Sequence, residues 1–308
     1  MTLNPGVYPT MITPYTKEGK IDFDGVEQLV DFYIKNKCEG IFAVCQSSEM
    51  LYLSLDERIR LAKKVVECAK KAPYKMNVVA SGHCADDLDA QAEEICAIYE
   101  TGVDAFVLVS NRFDLHHDGD DVWIKNAEYV LSKIPKDIPL GIYECPRPYK
   151  RLLTPRILDF CMKTGRFRFI KDTCCDPDML SDRLRQLEGS GVMLFNANAQ
   201  TLLHSLQGGG AGYSGIMANF HPDLLVWLCK NYENEKADEI SNIISMCAFT
   251  ENPVYPCTAK YYLGFEGLDL NIYARSADHK TLTPYQKLCM RQLYDISEKV
   301  RKDLKEAK

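Results

Sequence analysis

The residues that could do chemistry begin with a lysine in the stretch RFRFIKDTCCD, Arg166 to Asp176. Read as a strand, it sets Phe167, Phe169 and Lys171 on one face and Arg168, Ile170 and Asp172 on the other. An ammonium group among phenylalanines is costly unless it is paired or neutralised. Burial disfavours the charged form, so Lys171 is expected to have a depressed pKa. As a free amine it can attack a carbonyl and form a Schiff base. The competing reading is a lysine that snorkels to solvent or pairs with a carboxylate such as Asp172. Position alone leaves both open.

Two further stretches carry polar groups at the ends of apolar runs. In PLGIYECP, Gly141 and Tyr143 share one face, while Leu140, Ile142 and Glu144 take the other. Gly141 is expected to leave interior space. Tyr143 would end its strand as a phenol able to shuttle protons or bind a carboxylate, or more plainly as a ring packed at a rim. The loop Cys145-Pro146-Arg147-Pro148 follows and is stiff. In FAVCQSSEM, alternation points Ile41, Ala43, Cys45 and Ser47 inward. Gln46, Ser47 and Ser48 then offer hydroxyls and backbone amides to an anion, although a Ser-rich exit is also an ordinary turn.

These residues need elements to hold them. Strand candidates are GVYPTMIT, EGIFAVC, NVVAS, AFVLVS, IPLGIYE, FRFIKD, VMLFNA and GYSGIM, with amphipathic segments between them. Ser54-Leu-Asp-Glu57 is a capping box, Thr154-Pro155 and Asp176-Pro177 open helices, and Gly102 and Gly165 close them. Alternating strands and helices imply parallel βα units. Eight of them predict an α/β fold, a (β/α)8 TIM barrel over residues 1–222. In such a barrel the C-terminal strand ends, where Lys171 and Tyr143 fall, form the active face. An open doubly wound sheet would need a Gly-rich first turn that PTMITPYTKEGKID lacks. Residues 223–308 read as a helical extension packed on the barrel.

Composition excludes other classes. The chain has 308 residues and a net charge of −6, with no basic stripe, so a nucleic-acid partner is not expected. No apolar run has membrane-spanning length, and MTLNPGVYPTMITPY lacks the regions of a signal peptide. Thirteen cysteines without a CxxC pair, mostly within apolar runs, point to a reducing, cytoplasmic setting. The vicinal Cys174-Cys175 reads as inert. GAGYSG, Gly210 to Gly215, matches GxGxxG, but it follows a helix and precedes a strand, the reverse of a dinucleotide site. DLHHDGDD offers possible metal ligands, yet adjacent His116 and His117 do not easily converge on one ion, and no metal is expected.

Taken together, GVYPTMITPY, CQSSE, YECP, FIKDT and GGGAGYSGIMANFHPDL resemble the dihydrodipicolinate synthase and N-acetylneuraminate lyase family, over nearly the whole chain. The resemblance implies a class I aldolase or lyase. Lys171 would form an imine with pyruvate or another 2-keto acid, Tyr143 would relay protons, and Ser47 with Gln46 and Ser48 would hold the carboxylate. It also implies a homotetramer and no cofactor. Arg147, Asn198 and Ser214 are the remaining substrate-binding candidates. Departures are visible as well. Gln46 replaces a hydroxyl residue, and Ser48 stands at a usual glycine. Asn111-Arg112-Phe113 lacks the second tyrosine of the synthases, and Pro148 stands where they carry an arginine. FNANAQ lacks the carboxylates that sialate lyases offer to sugar hydroxyls. Schiff-base chemistry is thus expected to be retained without the usual second-substrate machinery. The alternatives are a dihydrodipicolinate synthase, a 2-keto-3-deoxy acid dehydratase, or a non-catalytic 2-keto acid binder.

Overall fold

The computed structural model describes residues 3–306, in which eight strands alternate with helices along the chain. The strands are β1 (Gly6–Val7), β2 (Gly40–Phe42), β3 (Asn77–Ala80), β4 (Ala105–Val109), β5 (Leu140–Tyr143), β6 (Phe167–Asp172), β7 (Met193–Asn196) and β8 (Gly212–Tyr213). Between and after them run α1 (Phe23–Lys35), α2 (Leu55–Ala69), α3 (Leu88–Tyr99), α4 (Asp120–Lys133), α5 (Pro155–Thr164), α6 (Pro177–Leu187), α7 (Leu202–Gln207) and α8 (Pro222–Lys230). All ladders are parallel, in the order β1-β8-β7-β6-β5-β4-β3-β2. The ring closes where the Phe42 amide donates to Pro9 O (2.9 Å) and the Met11 amide donates to Phe42 O (3.0 Å). This is the (β/α)8 barrel that the alternation of elements predicts.

The helix signals lie where local chemistry sets them. Ser54 and Glu57 form both bonds of the capping box that opens α2. Thr154 and Asp176 accept from the amides of Ile157 and Met179 at the starts of α5 and α6, each with proline in the first turn. Only Gly6–Val7 of GVYPTMIT is regular strand, because Pro9 has no amide to donate to the ladder. Gly212 is demanded by close approach, since a Cβ there would lie 1.9 Å from Gly6 O across the β1–β8 pair. The helix α8 packs on β1 and β8 and completes the outer ring, so the barrel's own helices run to Lys230. Beyond it, α9 (Ala237–Cys247), α10 (Cys257–Leu263) and α11 (Pro284–Glu306) form the extension, with α9 against α7 and α8, and α10 against α11.

Strict two-residue counting misplaces some lumen residues. The β5–β6 register slips, so that Leu140 pairs with Phe167 but Gly141 pairs with Phe169, which leaves Arg168 as an extra residue. The lumen aromatic contacts accordingly belong to Phe169, which stacks on Phe195 at 4.5 Å and meets Tyr8 and Phe42; Phe167 makes none of them. Gly141 leaves no void, because a Cβ there would meet Phe169 O at 2.9 Å and Val107 Cγ2 at 3.1 Å. On β2 it is Phe42, not Ile41, that faces Tyr143, Phe169 and Lys171. Regular strand ends at Phe42, so a phase counted back from Ser47 does not carry through the turn.

Candidate active site

Lys171 ends the inward face of β6. Its side chain is 4% exposed, with Nζ 4.1 Å from the Tyr143 ring centroid and 5.7 Å from that of Phe42. Among the described residues nothing hydrogen-bonds or ion-pairs with this nitrogen. Asp172 does not pair with it, because that carboxylate is bound by Arg183 of α6. Desolvation pulls the amine down to about 8, only partly opposed by the negative charge that nearby Cys45, Cys145 and Glu251 can carry. The reading in which Lys171 snorkels out or pairs with its neighbour thus does not describe this residue.

Tyr143 lies opposite Lys171 in the β5–β6 ladder. Its hydroxyl sits 3.5 Å from Gln46 Oε1, which also accepts from Cys145 Sγ at 3.1 Å. Gln46 therefore gives the phenol an acceptor where a hydroxyl residue was missing. Burial holds the Tyr143 phenol well above its ordinary pKa, so it is a proton donor rather than a phenolate. Ser47 Oγ donates to Thr10 Oγ1 at 3.2 Å. Lys171, Tyr143, Gln46, Ser47 and Arg147 all line one cavity of about 520 Å³ at the barrel mouth. The exposed Arg147 is held by backbone alone: Asn111 Nδ2 donates to the carbonyls of Cys145 (3.0 Å), Arg147 (2.8 Å) and Tyr149 (2.6 Å), clamping that loop.

Three candidates do other work. The Ser48 hydroxyl accepts from the Cys45 amide (3.1 Å) and donates to Met11 O (2.6 Å), tying the turn after β2 to the segment after β1, and Ser48 is not part of the cavity lining. The left-handed residue of this turn is Glu49, with φ 62°, so Ser48 carries no glycine-like strain. Asn198 accepts from the Thr201 amide at 3.0 Å and is consumed by the turn into α7. Ser214 is fully buried with its hydroxyl unpartnered, and its segment contributes Ile216 to the cavity wall instead. The acidic loop after β4 is likewise structural: Asp114 and Asp120 bind Arg151, and His117 packs on Tyr149. No group of three or more metal-ligating side chains occurs among the described residues.

The sequence reading missed the wall contributed by the extension. Asn252, Tyr255, Pro256 and Ser276 all line the cavity. Glu49 brings the last of these in, because its Oε1 accepts from the amides of Arg275 (2.7 Å) and Ser276 (2.6 Å). The available signal was ENPVYP, whose two prolines interrupt an otherwise helical pattern.

Residues 4–277 match the model of the Dihydrodipicolinate synthetase family. A 4-hydroxy-tetrahydrodipicolinate synthase of Pseudoalteromonas atlantica is 26% identical over 268 residues, covering 84% of this chain and 88% of that one. A prophage protein of the dihydrodipicolinic acid synthase family from E. coli K12, solved with pyruvate, superposes with TM-score 0.83 at 19% identity, covering 97% and 99% of the two chains. The sialic acid aldolase of Ruminococcus gnavus superposes with TM-score 0.82 at 19% identity, covering 97% and 98%.

Proposed function

Since the chain belongs to the dihydrodipicolinate synthetase family, we propose that it is a class I aldolase or lyase acting on pyruvate or a 2-keto-3-deoxy acid through an imine on Lys171. The observation that carries this reading is the Lys171 amine, which is buried, unpaired and lowered to about 8 at the floor of an open cavity. A fraction of it is neutral near pH 7 and nucleophilic. Attack on the C2 carbonyl and loss of water give a protonated imine, which draws electrons from C3 and so permits a bond to that carbon's neighbour to break or form. That chemistry calls for no metal or organic cofactor. Tyr143 donates and recovers protons, Gln46 orients its hydroxyl, and Ser47 holds the substrate carboxylate. The Arg147 guanidinium at the rim is available to the distal part of the substrate. The same reading includes a cytoplasmic homotetramer, a dimer of dimers, which sedimentation velocity tests.

The experiment is reductive trapping. Pyruvate with borohydride is expected to add a reduced adduct to the peptide containing Lys171, and Lys171→Ala is expected to lose it. An adduct on another lysine, or labelling of the Ala variant, overturns the mechanism. Trapping without turnover on any acceptor would favour a 2-keto acid binder over an enzyme.

A further inference from the structure

Gln46 lines the cavity beside Lys171, Tyr143 and Ser47, and the protein engages only one end of its amide. Its Oε1 accepts from the Cys145 thiol at 3.1 Å and from the Tyr143 hydroxyl at 3.5 Å. Both partners are donors here. Burial raises the Cys145 thiol and the Tyr143 phenol above their ordinary pKa values, so each keeps its proton. Two donors converging on one end of a carboxamide identify that end as the oxygen, because the amide nitrogen can only donate. Nε2 therefore takes the other end. Among the described residues nothing accepts from it, and it is not one of the buried polar atoms left without a partner. Its two N–H bonds thus face accessible space at the cavity wall.

The same wall decides which part of a bound acid Gln46 would meet. Lys171 and Tyr143 pair across the β5–β6 ladder, with Nζ 4.1 Å from the ring centroid. An acid held as an imine on Nζ has two arms at C2. One is the carboxylate, assigned above to Ser47; the other is the chain from C3 onward. That second arm has the Tyr143 ring beside it, and the hydroxyl of that ring ends at Gln46. In pyruvate or a 3-deoxy acid C3 carries no polar atom, so the first acceptor along this arm is an oxygen on C4. A hydroxyl residue in place of Gln46 could donate, accept and pass a proton on. A carboxamide whose oxygen is already committed offers donation alone.

We propose that Gln46 determines specificity for an oxygen on C4 of the 2-keto acid, holding it by an Nε2–H hydrogen bond while Oε1 stays with Tyr143 and Cys145. The inference rests on the Schiff-base reading above and adds the part of the substrate that pyruvate lacks. It selects acids with a hydroxyl or carbonyl oxygen on C4 over those in which C4 is a bare methyl group. The contact is one of recognition: the amide neither gives up nor takes a proton, so proton transfer at this wall stays with the Tyr143 phenol.

The smallest pair of probes that isolates this contact is 2-ketobutyrate and 4-hydroxy-2-ketobutyrate, which differ by one oxygen on C4. Borohydride trapping at short times gives a half-saturating concentration for each, read as total adduct on the Lys171 peptide. In the wild type the hydroxy acid is expected to half-saturate at a concentration lower by roughly 3- to 10-fold, the size of one hydrogen bond. Gln46→Met keeps the length of the side chain without its donors and is expected to bring the two values together. Gln46→Glu, assayed at about pH 8 where a carboxylate is ionised, keeps an oxygen toward Tyr143 and Cys145 but has no N–H; it is expected to lose the preference too. A loss common to both acids cancels in the ratio, so a role confined to orienting Tyr143 would not move it. A wild type without the preference, or a preference that survives in Gln46→Glu, overturns the proposal. If Gln46→Met does not fold, Gln46→Glu supplies the same ratio. Absence of trapping by either acid in the wild type overturns the Schiff-base reading, and this inference with it.

Discussion

Arg183→Met would remove a cation from between two buried carboxylates directly behind the site. From α6 the guanidinium reaches Glu144 Oε1 and Leu153 O, each at 2.7 Å, and also bonds Asp172. The three side chains are 4%, 0% and 1% exposed. Glu144 follows Tyr143 and Asp172 follows Lys171, so this arginine pins the outer faces of the two strands that carry Tyr143 and Lys171. Glu144 extends the tie by accepting from the amides of Leu153 and Thr173, each at 2.7 Å. Breaking a buried ion pair by removing one partner costs about 3–5 kcal/mol, because the other charge is left unsolvated. For a chain of this size that corresponds to a fall in Tm of roughly 6–15 °C.

The pH dependence separates charge from volume. Burial already raises the Glu144 pKa in the folded state, with Arg183 opposing. Without that arginine, the folded value rises further above the unfolded one. A carboxyl raised in this way contributes stability that is fully present below its unfolded pKa and is lost as pH rises through the folded pKa. The melting deficit of Arg183→Met is therefore expected to be smaller at about pH 5 than at about pH 8. Differential scanning calorimetry at both pH values reads it. Adding Glu144→Gln and Asp172→Asn should recover most of the loss, since no unpaired charge remains. A Tm within about 2 °C of wild type, or a deficit equal at both pH values, refutes the argument.

Two functional predictions accompany it. Tyr143→Phe keeps the ring against Phe42 and Lys171 but removes the proton donor. Borohydride trapping is expected to persist while turnover falls about 10²–10⁴-fold, and unchanged turnover would make Tyr143 a packing residue. The chain is also expected to be a poor synthase with aspartate semialdehyde. Pro148 supplies no charge-assisted contact there, a loss of about 1.5–3 kcal/mol or roughly 10- to 150-fold. A kcat/KM for the semialdehyde at least about tenfold above those for 2-keto-3-deoxy sugar acids and sialic acid would contradict this, and Arg147→Ala should then abolish that preference.

The barrel was legible because its signals are local. The Ser54 capping box, the Thr154-Pro155 and Asp176-Pro177 helix starts, and the apolar runs between them depend on neighbours within a turn or two. The juxtaposition of Lys171 and Tyr143, the reactive pair proposed above, was legible for a related reason, since an amine and a phenol at the ends of adjacent apolar runs stand out by type. What failed depended on contacts distant in sequence. The slip at Arg168, the lumen face of Phe42 and the filled space beside Gly141 are set by strand pairing, which no single strand encodes. Ser48 looked like its neighbours Gln46 and Ser47, yet only the partner atoms Met11 O and the Cys45 amide decide that its hydroxyl turns away from the cavity. Asn198 was claimed by a turn that closes three residues further on, at the Thr201 amide.

The charge pattern answers the question that the lysine raised on its own. A buried amine among aromatic rings could have been neutralised by the carboxylate beside it, and Asp172 stands one residue away. Alternation sends Asp172 to the opposite face, where Arg183 takes both it and Glu144. That one guanidinium satisfies both carboxylates at the barrel wall, on the face away from the amine. Lys171 is left unpaired among aromatic rings, beside a cavity into which a carbonyl can enter. The position of Arg183 on α6 could be counted from sequence, but its reach to two strands could not. The nucleophilicity proposed for Lys171 thus rests on how β5, β6, α6 and the extension meet, more than on the strand that carries the lysine.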